Sequence, residues 1–167
     1  TSWWQRERDC EDGSDDDSDG LTDCDDPDCA SDTACLECPA YEIGETTGTH
    51  VVSSVPFDSS SMTGSCGGSG YESTYGWTAP SSGRYSFDTV GAYRDTVLYV
   101  LDGDCGGEEI ACSEDIPGLG SGRSGLSIDV TEGDEVTVVV DSFSTSETSG
   151  SVLSIHPYTA SCPDGIL

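Results

Sequence analysis

The 167-residue chain has no lysine and no asparagine, one methionine, two histidines and five basic residues, all arginine. Each shortage closes off a class of function. A Walker-type phosphate loop needs a lysine, so the glycine-rich stretch Gly118-Leu119-Gly120-Ser121-Gly122 reads as a flexible loop. Without asparagine there is no N-glycosylation site. Five arginines against 33 acidic residues leave a formal net charge of −28. Such a surface repels phosphate backbones and anionic lipids, which argues against nucleic acid as a partner. No apolar run approaches membrane-spanning length, so no membrane insertion is expected. A signal peptide and an initiator methionine are both missing, and the chain is expected to be a processed product. The missing lysine and asparagine fit a GC-rich genome, and the acidity also fits adaptation to high salt. The sequence leaves both open.

Catalytic machinery is scarce too. His50 and His156 are the only imidazoles, one beginning and one ending a candidate strand, and no Gly-x-Ser-x-Gly elbow is present. No nucleophile, base and orienting group can be assembled, so no enzyme activity is expected.

Carboxylates are what the chain has in excess. Residues 9–32 hold twelve of them and no basic side chain. A segment so charged and so poor in apolar residues cannot fold alone at neutral pH. With Asp15 as position 1 of a twelve-residue loop, Asp17 and Asp19 fall at positions 3 and 5 and Gly20 at 6. Leu21 offers its carbonyl at 7, Asp23 stands at 9 and Asp26 at 12. That is the ligand register of an EF-hand loop, with the glycine permitting the reversal that returns the later ligands. Oxygen-only donors at this density suit calcium better than zinc. Position 12 is the short Asp26 in place of the usual Glu, and no amphipathic helix flanks the loop. Asp12, Asp25 and Asp28, with Glu11, Asp9 and Asp32 nearby, are candidates for a second ion. The competing reading of the whole run is a solvated acidic linker.

Nine cysteines point to an oxidising, secreted setting, and an odd count leaves one free or bonded to another chain. Cys10, Cys24, Cys29, Cys35 and Cys38 are expected to staple the acidic segment. Cys105 and Cys112 flank Gly106-Gly107-Glu108-Glu109 and are expected to pair with each other. Cys66 and Cys162 are left to find partners. Cys35-Leu36-Glu37-Cys38 after Cys24 and Cys29 also admits a zinc knuckle.

From Thr46 onward short β-rich runs alternate with Gly, Pro, Ser and Asp. The candidate strands are His50–Phe57, Ser73–Thr78, Gly83–Thr89, Thr96–Leu101, Glu109–Cys112, Gly125–Val130, Glu135–Asp141 and Val152–His156. Arg84-Tyr85-Ser86-Phe87-Asp88 alternates as a half-buried strand does. Val136 to Val140 is more continuously apolar, as a central strand is. Turns fall at Pro80-Ser81-Ser82-Gly83 and Glu132-Gly133-Asp134. The fold expected is all-β, a jelly-roll-like two-sheet sandwich preceded by an irregular segment stapled by disulfides and calcium. The divisions are an arm at 1–8, the Asp/Cys-rich segment at 9–38, the sandwich at 39–157 and a tail at 158–167.

Several of these motifs resemble known families. Asp19-Gly20-Leu21-Thr22-Asp23-Cys24-Asp25-Asp26-Pro27-Asp28-Cys29 resembles the calcium repeats of thrombospondin type 3 and dockerin kind, in the Cys-punctuated form of secreted myxobacterial-type proteins. Trp77 to Thr89, Asp95 to Gly103 and Cys105 to Asp115 resemble the "FTAP-x-x-G-x-Y-x-F", "DT-x-LYV" and "CGG-x-x-x-AC-x-x-D" motifs of the pre-peptidase C-terminal (PPC) domain, and Leu126 to Asp141 its closing hairpin. The likeness spans about Ser65–His156. It implies a sandwich that accompanies secreted proteins and has no catalytic role itself. Some members bind calcium, which makes Asp95, Glu114 and Asp115 candidates for a sandwich-bound ion. Ser113-Glu114-Asp115 stands where Asn-Asp-Asp is usual, and solvated loop acids are the alternative.

Two functions from different classes follow. The first is a secreted, calcium-binding structural subunit that assembles with itself into an extracellular filament, surface layer or adhesive matrix. The adjacent Trp3 and Trp4, the apolar end Gly165-Ile166-Leu167, the odd cysteine and the edge strands suit head-to-tail packing. The tryptophans could equally fold back onto their own sandwich. The second is an accessory module holding polysaccharide or protein for a hydrolase, either beside it or as a fragment released from it. Such a module presents aromatics on a sheet face, and Tyr71, Tyr75, Trp77, Tyr85, Tyr93 and Tyr99 are those available, although in strands most are expected to be core or cross-strand packing.

Overall fold

A computed structural model of the chain describes residues 9–10, 12–29, 38–51, 62–117, 122–144 and 152–159. Outside them lie Trp3, Trp4, Glu11, Asp32, Cys35, Cys162, the stretch 118–121, the end 165–167 and most of the expected strand His50–Phe57. The side chain of Cys24 is also outside.

Among the described residues nine strands form two sheets. In chain order they are β1 (Tyr41–Gly44), β2 (Gly48–Val51), β3 (Ser73–Thr78), β4 (Gly83–Asp88), β5 (Thr96–Asp102), β6 (Glu109–Ser113), β7 (Gly125–Val130), β8 (Glu135–Ser142) and β9 (Val152–Pro157). The five-stranded sheet runs β1-β3-β8-β5-β6 and the four-stranded sheet β2-β9-β4-β7. The all-β sandwich expected from the alternating runs is the fold observed, and seven of the strands lie within two residues of their expected bounds.

Two strands differ from expectation. β1 was not foreseen; it pairs in parallel with β3, Tyr41 opposite Tyr75, and a parallel pairing across thirty residues leaves no local signal. β2 begins at Gly48 and pairs antiparallel with β9, His50 opposite Leu153.

Period-two side-chain alternation divides the central strands between two environments. Tyr75, Trp77, Leu98, Val100, Val136, Val138 and Val140 face the four-stranded sheet and meet Tyr85, Phe87, Ile128, Leu153 and Ile155. Trp77 anchors this core, with edge-on contacts to Tyr85 and Phe87. Its indole N–H donates to Thr46 O at 3.0 Å, so the large ring is buried with its polar group satisfied. The opposite face of the same sheet carries Val97, Tyr99, Leu101 and Val139, packed by Met62, Cys66 and Cys112. There the segment 62–72 lies across the sheet as a flap.

Buried hydroxyls close one end of the sandwich. Thr89 Oγ1 meets Thr96 Oγ1 at 2.6 Å, Ser124 N donates to Thr89 Oγ1, and Ser124 Oγ bonds Thr96 O and Glu114 O. The network is mutually satisfied, as a buried polar group requires. It explains why the "DT" of the β5 motif ends in threonine.

The expected Cys105–Cys112 bond is not formed. Cys105 joins Cys38, and Cys112 joins Cys66, each with Cα atoms 5.8 Å apart. Cys112 lies near the far end of β6, opposite Tyr99, on the face that the flap covers. Cys105 stays in the β5–β6 turn, so their separation along the hairpin exceeds what a disulfide spans. Cys38 therefore ties the end of the acidic segment to the sandwich, and Cys66 clamps the flap.

Candidate metal centre

Between Cys10 and Cys29, which are bonded to each other, the backbone has two single 3-10 turns at Asp23–Asp25 and Pro27–Cys29. The rest is irregular. A bridge closing a loop of this length contributes about 3 kcal/mol, more than the few apolar groups of the segment supply.

Within it, Asp15, Asp17 and Asp19 place one carboxylate oxygen each within 4.8 Å of one another. Side chains direct the local fold. Asp15 accepts from the amides of Asp19 and Gly20 at 3.2 and 3.0 Å, Asp17 from Asp19 at 3.1 Å, and Asp19 from Leu21 at 2.9 Å. Gly20 takes φ +101°, a conformation other residues rarely adopt, and so makes the expected reversal.

Asp26, at position 12, is 2% exposed. Its Oδ1 accepts from Asp28 N at 2.6 Å, while its Oδ2 is buried with no hydrogen-bond partner. Asp26 also acts electrostatically on Asp17. Desolvation within the loop, and then the carboxylates of Asp19, Asp26 and Asp15, push the Asp17 carboxyl above the usual range; a backbone hydrogen bond from Asp19 pulls the other way. A cradle whose neighbouring acids raise the affinity of Asp17 for a proton is matched to a divalent cation. The buried, unpartnered Asp26 oxygen is the specific feature that fits calcium here. Asp23, at position 9, is partly spent within the protein: its Oδ1 accepts from Gly13 N at 3.0 Å.

The other expected ligand sets are not gathered. Among the described residues, Asp15, Asp17 and Asp19 form the only group of three acidic, histidine or cysteine side chains close enough to share an ion. Asp12 instead accepts from Ser14 N at 2.8 Å, and Asp25 and Asp28 are exposed. In the sandwich, Asp115 Oδ1 accepts from Gly122 N at 2.8 Å, Glu114 is exposed and contributes its backbone carbonyl to Ser124, and the Asp95 carbonyl accepts from Phe143 N.

No protein-family model matches the chain, and no curated protein does. Among solved structures the chain is similar to the pre-peptidase C-terminal domain of a collagenase from Bacillus anthracis. Identity is 12% and the TM-score 0.44, over 70% of this chain and 93% of that one. The fold assignment rests on the two sheets themselves.

The histidines are apart. His156 Nε2 lies 3.0 Å from Asp88 Oδ2 on the exposed side of β9 and β4, whereas His50 Nε2 on β2 is buried. Of the aromatics considered for a binding face, Tyr75, Trp77, Tyr85 and Tyr99 are buried, Tyr71 is half-buried and Tyr93 is fully exposed.

Proposed function

We propose that the chain is a secreted, non-catalytic, calcium-binding structural protein whose subunits assemble into an extracellular filament, surface layer or adhesive matrix. The observation that carries the calcium reading is the convergence of Asp15, Asp17 and Asp19 with the buried Asp26 oxygen at the spacing of a calcium loop. In this reading Asp15, Asp17, Asp19, the Leu21 carbonyl and Asp26 hold the ion. The ion neutralises the segment and makes it a rigid strut, anchored through Cys38–Cys105. Assembly is supported by apolar side chains at strand edges, Val51 on β2 and Ile110 on β6, both exposed. Edges that are unpaired among the described residues, as these are, accept a neighbour's strand. Calcium would screen the −28 charge that otherwise holds subunits apart.

Electron microscopy of the purified chain in calcium and in chelator tests assembly. Ordered polymers that come apart on chelation are expected, and discrete monomers in both conditions would end the polymer reading.

An accessory module that holds polysaccharide or protein is the second reading, favoured by the fully exposed Tyr93 with half-exposed Val90 beside it. Retention on an immobilised glycan or matrix protein, lost in Tyr93→Ala, would select it.

A further inference from the structure

The flap 62–72 seals a titratable group that the proposed function does not use. Asp141, near the end of β8, points to the flap side of the five-stranded sheet, in alternation with Val138 and Val140 on the core side. It is 1% exposed, and neither carboxylate oxygen has a hydrogen-bond partner among the described residues. Gly68 has φ +94°, and a β-carbon there would overlap Asp141 Oδ2, so the flap backbone lies directly over the carboxyl. Burial of this kind disfavours the charged form of an acid.

Titratable and charged groups approach from each neighbouring element. Glu72, at the flap's end, accepts from Met62 N at 3.1 Å through Oε1, and its carboxylate acts on Asp141. From β5, Tyr99 brings a buried hydroxyl. From β6, Glu109 accepts from Ser65 N and Oγ. From the β4–β5 loop, Arg94 donates to Ser142 Oγ at 3.1 Å, and the Asp95 carbonyl accepts from Phe143 N. The amides of Gly70 and Ser142 lean toward Asp141, yet their aligned hydrogen bonds go to the carbonyls of Ser142 and Tyr71. The Asp141 carboxyl is pushed up to about 7, by burial first and by Glu72 second, with the two amides opposing.

The flap is clamped on one side of this carboxyl and supple over it. Cys66 is bonded to Cys112, and Ser65 holds Glu109. Beyond the clamp come Gly67, Gly68 and Gly70, the first two with positive φ. Residues 67–71 meet the end of β8 at Ser142: Ser69 N and Gly70 N donate to its carbonyl, and its N–H donates to Tyr71 O. They can lift without breaking a disulfide or opening the core between the sheets, and lifting them brings water to Asp141.

We propose that Asp141 is a pH-sensitive latch: while it is neutral residues 67–71 lie closed on the sheet, and once it is ionised they lift and expose Val97 and Tyr99 to water. The latch is independent of the Asp15–Asp26 loop and of assembly. The closed flap binds the proton more tightly than the open one. Closure is therefore strongest below the ordinary carboxyl value of 3.8, weakens as pH rises, and levels off above about 7.

Hydrogen exchange of the full, oxidised chain, corrected for the intrinsic pH dependence of exchange, tests the latch. The opening constant of residues 67–71 should rise about tenfold per pH unit between roughly 4 and 7, while the amides of β8 stay protected. In Asp141→Asn the rise should vanish. Carbon-13 NMR should find the Asp141 carboxyl titrating above the ordinary range. Glu72→Gln should bring that titration down, because a neutral side chain no longer repels the charge. Flat exchange at 67–71 across this range overturns the proposal. So does a rise that persists unchanged in Asp141→Asn, or an Asp141 carboxyl that titrates at its ordinary value. If Asp141→Asn does not fold, the carbon-13 titration of the unaltered chain and its shift in Glu72→Gln decide.

Discussion

Asp15, Asp17 and Asp19 lie on a loop that water reaches, with almost no apolar surface beneath them, whereas Asp141 lies under a disulfide-clamped flap in a packed sandwich. In the first region the carboxylates create the structure: their acceptor oxygens organise the backbone amides of residues 19–21. In the second the structure creates the carboxylate environment, because two sheets and a flap have already excluded water when Asp141 is placed. Substituting the acids should therefore loosen the first region and leave the second folded. The contrast shows that acidic side chains can order a backbone locally through their acceptor oxygens or be held in place by a hydrophobic scaffold.

The harshest way to break the comparison attacks the scaffold. Trp77→Ala removes the largest fully buried side chain and should cost about 3–5 kcal/mol. Denaturant unfolding should show the same loss with calcium and with chelator, since the core is apolar. Next, Cys66→Ser with Cys112→Ser opens a bridge across 46 residues and should cost about 2–4 kcal/mol. Proteolysis should then cut first within 62–72, and Tyr99 should become accessible to nitration.

A subtler effect separates the two acidic regions by pH. In chelator, Asp141 has a folded-state pKa of about 7, above its ordinary value of 3.8. The stability its neutral form contributes is fully present below the ordinary value and is lost as pH rises through about 7. The chelated chain should therefore lose stability between roughly pH 4 and 7 relative to Asp141→Asn, read as diverging denaturation midpoints. Parallel pH profiles would contradict the burial argument.

The smallest change in global stability is expected from Asp15→Ala or Asp19→Ala. The sandwich midpoint should move by less than about 0.5 kcal/mol, as for other surface changes. Limited proteolysis should nevertheless cut residues 9–29 as rapidly in calcium as the unaltered chain is cut in chelator. Equal resistance of the unaltered chain in both conditions would remove the metal from the account.

Much of this was legible along the chain because it depends on short-range periodicity. The alternation of Arg84 to Asp88 and the apolar run Val136 to Val140 define β4 and β8 within a residue or so, since side-chain direction repeats every two residues. The loop register from Asp15 to Asp26 is local in the same sense. What failed was long-range. Cys105 and Cys112 look paired by proximity in sequence, but the hairpin keeps them apart and hands each to a cysteine at least 46 residues away. Asp95, Glu114 and Asp115 are not gathered into a group of three, and Asp115 holds the loop at Gly122. Asp141 and Glu72 drew no attention, because nothing local marks a pair 69 residues apart. The glycines of Gly64-Ser65-Cys66-Gly67-Gly68-Ser69-Gly70 were the one available hint that a backbone lies flat against a sheet there.

Sequence by itself determined seven of the strands, the acidic register from Asp15 to Asp26 and the all-β class, since each is written in neighbouring residues whose spacing fixes which way side chains point. Tertiary structure alone decided the disulfide partners, the parallel β1–β3 pairing and the sealing of Asp141 beneath the flap. Those depend on which distant segments share the faces of one sheet, and burial and close approach exist only once the sheets have packed.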